Sequence, residues 1–332
     1  MSAPACLIGI DTGTTNTRVW FLRGEEVVAT VRAGVGVRDT AREGSPRLLH
    51  EALGRSIAEV RAIARSKGIV EEPATVIAAG MITSPLGLRE VPHLPAPAGL
   101  GELAGAVDLC HLPAITDLPI WLVPGVRSGP DRVIPEEIES TDVMRGEETL
   151  ALGLLSNGQL APGSTLLNLG SHWKIVRLDD QGRVASSITS LSGELIHAAQ
   201  TQTILAGSVP AGRPEQIHER WLRAGMAEAR RAGLPRALFC VRLLEQRSDS
   251  TPPERLSYLI GACLAIDLDA MISRGLMPPG REVVMAGGEA LTGAISLALA
   301  EQSIRLRSLA ESEIEGGLLA GLRAIAGLVH PF

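Results

Sequence analysis

Leu7-Ile8-Gly9-Ile10-Asp11-Thr12-Gly13-Thr14-Thr15-Asn16-Thr17-Arg18-Val19-Trp20 reads as a short apolar strand, a tight turn of Asp, Gly and hydroxyl residues, and a second strand. Such a turn suits an anion held beside a metal. Gly13 can take the positive φ that lets successive backbone N–H groups converge on one point. Thr14 and Thr15 add hydroxyl donors, Asn16 closes the turn, and Asp11 offers a hard oxygen of the kind Mg²⁺ prefers. The same residue types also build plain β-hairpin turns. The remainder of the chain decides between the two.

With 332 residues the chain exceeds what one core usually supports, so two domains are expected, and an apolar fraction of 45% allows each to bury its own core. A net charge of −6 with no Lys/Arg block argues against a nucleic-acid surface. Cys6, Cys110, Cys240 and Cys263 are scattered without CxxC spacing, which supports neither zinc nor a redox pair and reads as buried, reduced thiols of a cytoplasmic protein. Met1-Ser2-Ala3-Pro4 leads almost directly into the first strand, leaving no room for a signal peptide. No apolar run is expected to approach the ~20 residues that span a membrane.

Three strands, Leu7–Ile10, Thr17–Leu22 and Val27–Val31, open the chain, and a helix follows from Ser45-Pro46 to Lys67-Gly68. Val76–Ala79 and Ile120–Val123 read as buried strands flanking a Pro-rich loop, Val91–Gly99. A helix is expected from about Met144 to Leu155. The opening pattern then recurs: strand Thr165–Leu169, turn Gly170-Ser171-His172, strand Trp173–Leu178, polar turn, strand Val184–Thr189. A repeat of this kind implies two similar α/β domains, divided near residue 150 into 1–150 and 151–332, with a ligand between their glycine turns. The second half continues with helices Gly193–Gly207, Pro214–Gly233 and Pro252–Gly275, a late strand Glu282–Ala286 ending at Gly287-Gly288, a helix Ala290–Glu301, and a last helix 315–328 expected to pack back onto the first domain.

Three glycine turns that follow strands, Asp11–Asn16, Gly170–Lys174 and Gly287–Glu289, resemble in that order the actin/hexokinase/Hsp70-type nucleotide cleft. The resemblance implies an α/β fold of two similar RNase H-like lobes with the ATP site in the cleft between them. The first two turns would hold the β- and γ-phosphates, and Gly287-Gly288 would let backbone approach the adenosine. More narrowly, the chain resembles the 2-dehydro-3-deoxygalactonokinase family through Ile10–Trp20, Ala79-Gly80-Met81, Pro92-His93-Leu94-Pro95-Ala96-Pro97-Ala98, Val123-Pro124-Gly125, Asp142-Val143-Met144-Arg145-Gly146-Glu147-Glu148-Thr149, Gly170-Ser171-His172-Trp173-Lys174, Ser192-Gly193-Glu194-Leu195 and Ala286-Gly287-Gly288. There are departures. Where the family carries Pro-Gly-Thr-His-x-Lys, Leu169 replaces the Pro and Ser171 the Thr, which keeps a hydroxyl; where the family carries Ala-Gly-Asp, this chain reads Ala310-Glu311-Ser312-Glu313.

The resemblance implies an ATP- and Mg²⁺-dependent kinase acting on the 6-hydroxyl of a keto-deoxy sugar acid. Phosphoryl transfer needs a carboxylate to orient and deprotonate the attacking hydroxyl. Glu147 is the first candidate and Glu148 the second; both also suit the positive end of a helix, and lying about 100° apart on it they cannot face the substrate equally. Asp11 is the metal-ordering residue. Gly13, Thr14, Thr15 and Asn16, with Gly170, Ser171, His172 and Lys174 and with Gly287 and Gly288, form the nucleotide-binding set. Lys174 is one of only two lysines, beside Lys67; it reads either as a phosphate charge or as a solvated strand-end residue. His172 reads as a phosphate donor or as a turn histidine bonded to backbone. Arginine forks bind carboxylates well, so Arg18, Arg89 and Arg145 are candidates for the sugar-acid carboxylate. The rival readings are a kinase of another sugar or acid, and a non-catalytic ATP-switched actin-like or sugar-sensing protein.

Overall fold

The computed structural model describes residues 6–329; Met1–Pro4, read above as leaving no room for a leader, lie outside them. Two compact units divide the chain: Met1–Gly163 with Leu178–Ser187 and Glu315–Phe332, and Ser164–Arg177 with Ile188–Ile314. The expected break after residue 150 would cut a continuous helix, Glu147–Ser156, and the units part at Gly163/Ser164 instead.

In the first unit the strands are β1 (Cys6–Thr12), β2 (Thr17–Arg23), β3 (Glu26–Ala33), β4 (Val76–Gly80), β5 (Leu94–Pro95), β6 (Asp108–Cys110), β7 (Ile120–Leu122), β8 (Val126–Ser128) and β9 (Asp142–Met144). Its helices include α1 (Val37–Glu43), α2 (Arg47–Ser66), α3 (Leu100–Gly105) and α4 (Glu147–Ser156). The main sheet runs β3-β2-β1-β4-β7-β6, and a small sheet runs β5-β8-β9. β1 is apolar along its length because both faces are covered. Ile8 and Ile10 join Leu49, Leu53 and Ile57 of α2 in one core. Behind Gly9, an added Cβ would lie 3.3 Å from Leu322 of the C-terminal helix. Each such buried side chain contributes about 1.5–3 kcal/mol.

Except for Leu178 and Val184–Ser187, which are counted with the first unit, the second unit holds β10 (Thr165–Leu169), β11 (Trp173–Leu178), β12 (Val184–Ser190), β13 (Glu282–Ala286) and β14 (Arg305–Ser308) in the order β12-β11-β10-β13-β14. Its helices are α5 (Ser192–Gln202), α6 (Glu219–Ala232), α7 (Leu234–Arg247), α8 (Pro252–Ser273) and α9 (Glu289–Ala298); α10 (Glu311–Val329) closes the chain, counted from Glu315 with the first unit. By length and composition α8 could cross a membrane, with a mean hydropathy of 1.6, contrary to the expectation that no run is apolar enough. It is instead the centre of the second unit's core, through Leu256, Leu259, Ile260, Cys263 and Leu268. Gly225 and Gly261 let α6 and α8 touch backbone to backbone. The four cysteines are free, Cys240 half-buried and the others buried.

The repeat is carried in the strand register. β1 pairs antiparallel with β2 and parallel with β4, as β10 does with β11 and β13. Asp11 stands across from Arg18 and Ala79, and Asn168 stands across from Lys174 and Ala286. The α/β fold of two similar RNase H-like lobes is the observed one.

Candidate active site

The first turn is closed by the Thr12–Thr17 pair, whose hydroxyls lie 3.3 Å apart, and by the Gly13 N–H donating to the Asn16 carbonyl at 2.9 Å. The segment leading into α1 braces it from behind. Thr17 donates to the Val35 carbonyl at 2.8 Å, and the N–H groups of Val37 and Arg38 donate to the carbonyls of Gly13 and Thr14. Gly36 permits this approach, since a Cβ there would lie 2.5 Å from the Thr14 oxygen. Gly13 does not take the left-handed conformation expected of it. The positive φ angles fall nearby, on Gly80 and Gly146. Asn16 turns its amide onto Thr15 Oγ1 at 2.9 Å.

Asp11 is the last residue but one of β1, with its side chain only 16% exposed. Arg18, opposite it on β2, donates from Nε and Nη2 to Oδ2 at 3.2 and 2.7 Å and lies 5.7 Å over the Trp20 ring. Arg18 is therefore placed on Asp11, not free to fork a substrate carboxylate. The other oxygen, Oδ1, faces glycine backbone. A Cβ on Gly80 would lie 3.0 Å from it and 2.6 Å from the Thr12 carbonyl, and one on Gly146 would lie 3.9 Å from it and 3.2 Å from the Gly80 Cα. Gly80 sits at φ 88°, ψ −155°, a region open only to glycine, and Gly146 at φ 108°. Two glycines thus keep a cradle beside one carboxylate oxygen. Burial raises the Asp11 carboxyl above its ordinary range, Arg18 opposes this, and the charge of Glu147 adds to the rise.

Gly146 caps α4, and the two glutamates behind it part company. Glu148 is fully buried; both its oxygens accept the Gly146 N–H, at 2.8 and 2.9 Å, and Oε1 also accepts the Thr149 hydroxyl at 3.0 Å. Burial, then the neighbouring Glu147 charge, pushes its carboxyl up to about 7. Glu148 caps the start of the helix from the interior, with its oxygens taken up by the Gly146 N–H and the Thr149 hydroxyl. Glu147 is half-buried on the next face of the helix, in electrostatic reach of Asp11.

The other two arginines differ. Arg145 is half-buried and donates from Nη1 to Thr83 Oγ1 at 2.9 Å and from Nη2 to the Val91 carbonyl at 2.8 Å, with His93 Nδ1 at 3.4 Å. It ties the Pro-rich loop to the turn after β4, and Gly125 lets that loop close in, since a Cβ there would lie 2.7 Å from Arg145 and 2.8 Å from His93. Arg89 is on the surface, 55% exposed and paired with Asp108 at 3.2 Å. The structure does not bring it to Asp11 and Glu147.

In the second unit, Leu169 and Trp173 close the turn Gly170-Ser171-His172, and Gly170 and Ser171 are exposed. His172 Nε2 lies 3.4 Å from Glu194 Oε1, a side-chain partner where a backbone one was the alternative. Lys174 is 5% exposed, which excludes the solvated reading. Gly193 presses the first turn of α5 onto this turn: a Cβ would collide with the Ser171 carbonyl and lie 2.6 Å from that of Gly170. Gly287 packs against Leu169, whose Cβ would be 2.7 Å from an added one, while Gly288, the cap of α9, has open space about it.

A family model for 2-keto-3-deoxy-galactonokinase matches residues 11–324, from Asp11 through both turns and α4 into the last helix. The chain belongs to that family. The 2-dehydro-3-deoxygalactonokinase of Escherichia coli (strain K12) is 27% identical over 331 residues, 97% of this chain and 98% of that one. A solved structure described as a 2-dehydro-3-deoxygalactonokinase protein from Sinorhizobium meliloti matches with a TM-score of 0.77 at 24% identity, over 98% of this chain and 97% of that one. The activator of 2-hydroxyisocaproyl-CoA dehydratase from Clostridium difficile, solved with bound ADPNP, shares the fold with a TM-score of 0.50 at 14% identity, over 98% of this chain and 96% of that one.

This sugar kinase offers no cluster of three or more His, Cys, Asp or Glu side chains among the described residues. The donor whose chemistry suits Mg²⁺ is the Asp11 carboxylate, since that ion keeps most of its waters and takes one or two carboxylates beside substrate phosphates. The cradle at Asp11 Oδ1 leaves space of the matching kind. Sequence reasoning did not single out Gly36, Gly146 and Gly193, which let backbones approach at these turns, or Asn168, which stands across from Lys174 as Asp11 does from Arg18. A glycine that matters by close approach leaves no local signal, but Asn168 could have been found by extending the repeat from turn to strand.

Proposed function

We propose that this kinase transfers the γ-phosphoryl group of ATP to the 6-hydroxyl of 2-dehydro-3-deoxy-galactonate, yielding the 6-phosphate and ADP in galactonate catabolism. The family membership supports the substrate class, and the single observation that supports the chemistry is the half-buried Glu147 beside Asp11. Glu147 orients the hydroxyl and accepts its proton as the alcohol oxygen bonds to the γ-phosphorus and the bond to the β,γ-bridging oxygen breaks. The Glu147 carboxylate is suited to this because its neighbour Glu148 already satisfies the start of the helix. Asp11 would hold Mg²⁺ through water from Oδ1, while Arg18 fixes its other oxygen. Mg²⁺, when bound, supplies neutralisation of the phosphate charge. Gly13, Thr14 and Thr15 in the first unit, and Gly170, Ser171 and Lys174 in the second, are the phosphate-holding groups, and Gly287-Gly288 borders the adenosine. Arg145 shapes the sugar-acid pocket by fixing the His93 loop.

Glu147→Gln tests the assignment. It is expected to lower kcat on the order of 10²-fold while ATP still binds; near-normal turnover would contradict it.

A further inference from the structure

The second glycine turn rests on the first turn of α5, and three consecutive residues there have separate tasks. Gly193 lies against the carbonyls of Gly170 and Ser171. Glu194 reaches His172 at 3.4 Å. Ser192 faces the other way, toward β12 and α8: its backbone N–H donates to Ser190 Oγ at 3.0 Å, and the two serine hydroxyls are 2.9 Å apart. Ser190 in turn donates its hydroxyl to Asp267 Oδ2 on α8 at 2.6 Å. Asp267 thus stands at the root of a continuous path, Asp267–Ser190–Ser192–Gly193–Ser171, anchored in the helix that forms the centre of this unit's core. Asp267 is half-buried, so its partial loss of water is offset by the hydrogen bonds it accepts. Burial does raise the Asp267 carboxyl, and the hydrogen bonds from Ser190 and Ser192 oppose the rise.

We propose that Asp267 is a positioning residue for the nucleotide: through Ser190 and Ser192 it fixes the start of α5, which sets the backbone of Gly170 and Ser171 for phosphate binding. The proposal rests on the reading of Gly170–Lys174 as a phosphate-holding turn. It separates two parameters that general loosening of the fold would move together. Asp267→Ala in the full chain is expected to raise the ATP KM about 10-fold, the cost of one hydrogen bond to a charged group, and to weaken ADP binding by calorimetry in parallel. KM for the sugar acid and kcat should stay within about 2-fold, because the groups of the first unit are untouched. Asp267→Asn keeps an acceptor for Ser190 and should restore ADP affinity to within about 3-fold of the parent.

Gly193→Ala, which displaces the turn directly, separates the proposal from the reading beneath it. If Gly193→Ala weakens ADP binding and a folded Asp267→Ala does not, the proposal is overturned and the phosphate turn stands. If neither changes ADP affinity, both fall. Equal losses in kcat and in both KM values for Asp267→Ala would also overturn it. Should Asp267→Ala fail to fold, the double variant Ser190→Ala/Ser192→Ala removes both hydroxyls that reach Asp267 while leaving Asp267 in place; a several-fold loss of ADP affinity supports the proposal, and an unchanged affinity overturns it.

Discussion

Glu148 gives this kinase a pH-dependent stability that one substitution should remove. Its carboxyl, fully buried behind the start of α4, moves from an ordinary 4.5 up to about 7. The folded chain therefore holds this proton more tightly than the unfolded chain does. The resulting stability is complete below about pH 4.5, declines as pH rises, and is gone above about 7. The rise from 4.5 to about 7, at about 1.4 kcal/mol per pH unit, is worth roughly 3 to 4 kcal/mol in all, most of it falling between pH 5 and 8.5. Glu148→Gln keeps the shape and an oxygen for the Gly146 N–H but cannot ionise. Urea unfolding of both proteins across that range, followed by tryptophan fluorescence and circular dichroism, isolates the effect. Other carboxylates, such as Asp117 and Glu72, are held low by arginines and contribute an opposite slope, but they are common to both proteins and cancel in the difference. The stability of Glu148→Gln relative to the parent should rise by roughly 2 to 3 kcal/mol from pH 5 to 8.5. A difference that stays flat within about 0.5 kcal/mol would refute the reasoning, whatever the constant offset.

Other substitutions probe the cradle and the packing that holds it. Gly80→Ala, at a backbone conformation open only to glycine and with its Cβ 3.0 Å from Asp11, should cost about 1–3 kcal/mol in urea unfolding and depress kcat as well. Gly153→Ala would drive a methyl into the Gly317 carbonyl where α4 crosses α10, and a melting temperature lowered by several degrees is expected; an unchanged melting curve would mean that the two helices can part at little cost. Arg89→Ala breaks only an exposed ion pair with Asp108, so both KM values should stay within about 2-fold of the parent; a large rise in the sugar-acid KM would return Arg89 to the site.

Much of this architecture was legible before any coordinates. Apolar runs bounded by glycine turns marked β1, β2, β10, β11 and β13, because strands buried on both faces cannot hide their composition. The repeat at Thr165–Ser190 then exposed the two-unit plan. What stayed hidden was mostly set by long-range packing. Helix α7 carries Pro235 in its first turn within a run of mixed arginine and leucine, and β14, Arg-Leu-Arg-Ser, is an edge strand whose charges disguise it. Met144 ends a strand rather than opening a helix, because Gly146 breaks the backbone between them. At the site, Asp11 and the Glu147-Glu148 pair stood out by type. Where the left-handed Gly80 and Gly146 meet Asp11, and what Arg145 holds, depend on contacts between residues more than 50 apart in the chain; that Arg18 serves Asp11 and that Glu148 turns inward depend on side-chain directions that residue types alone do not give.

The central claim is tested most directly by ADP release, measured with ATP and Mg²⁺ over a panel of 2-keto-3-deoxy sugar acids, gluconate and plain hexoses. Turnover with 2-dehydro-3-deoxy-galactonate well above that with gluconate or the hexoses is the expected result. A folded, ATP-binding protein that turns over none of the keto-deoxy acids would contradict it.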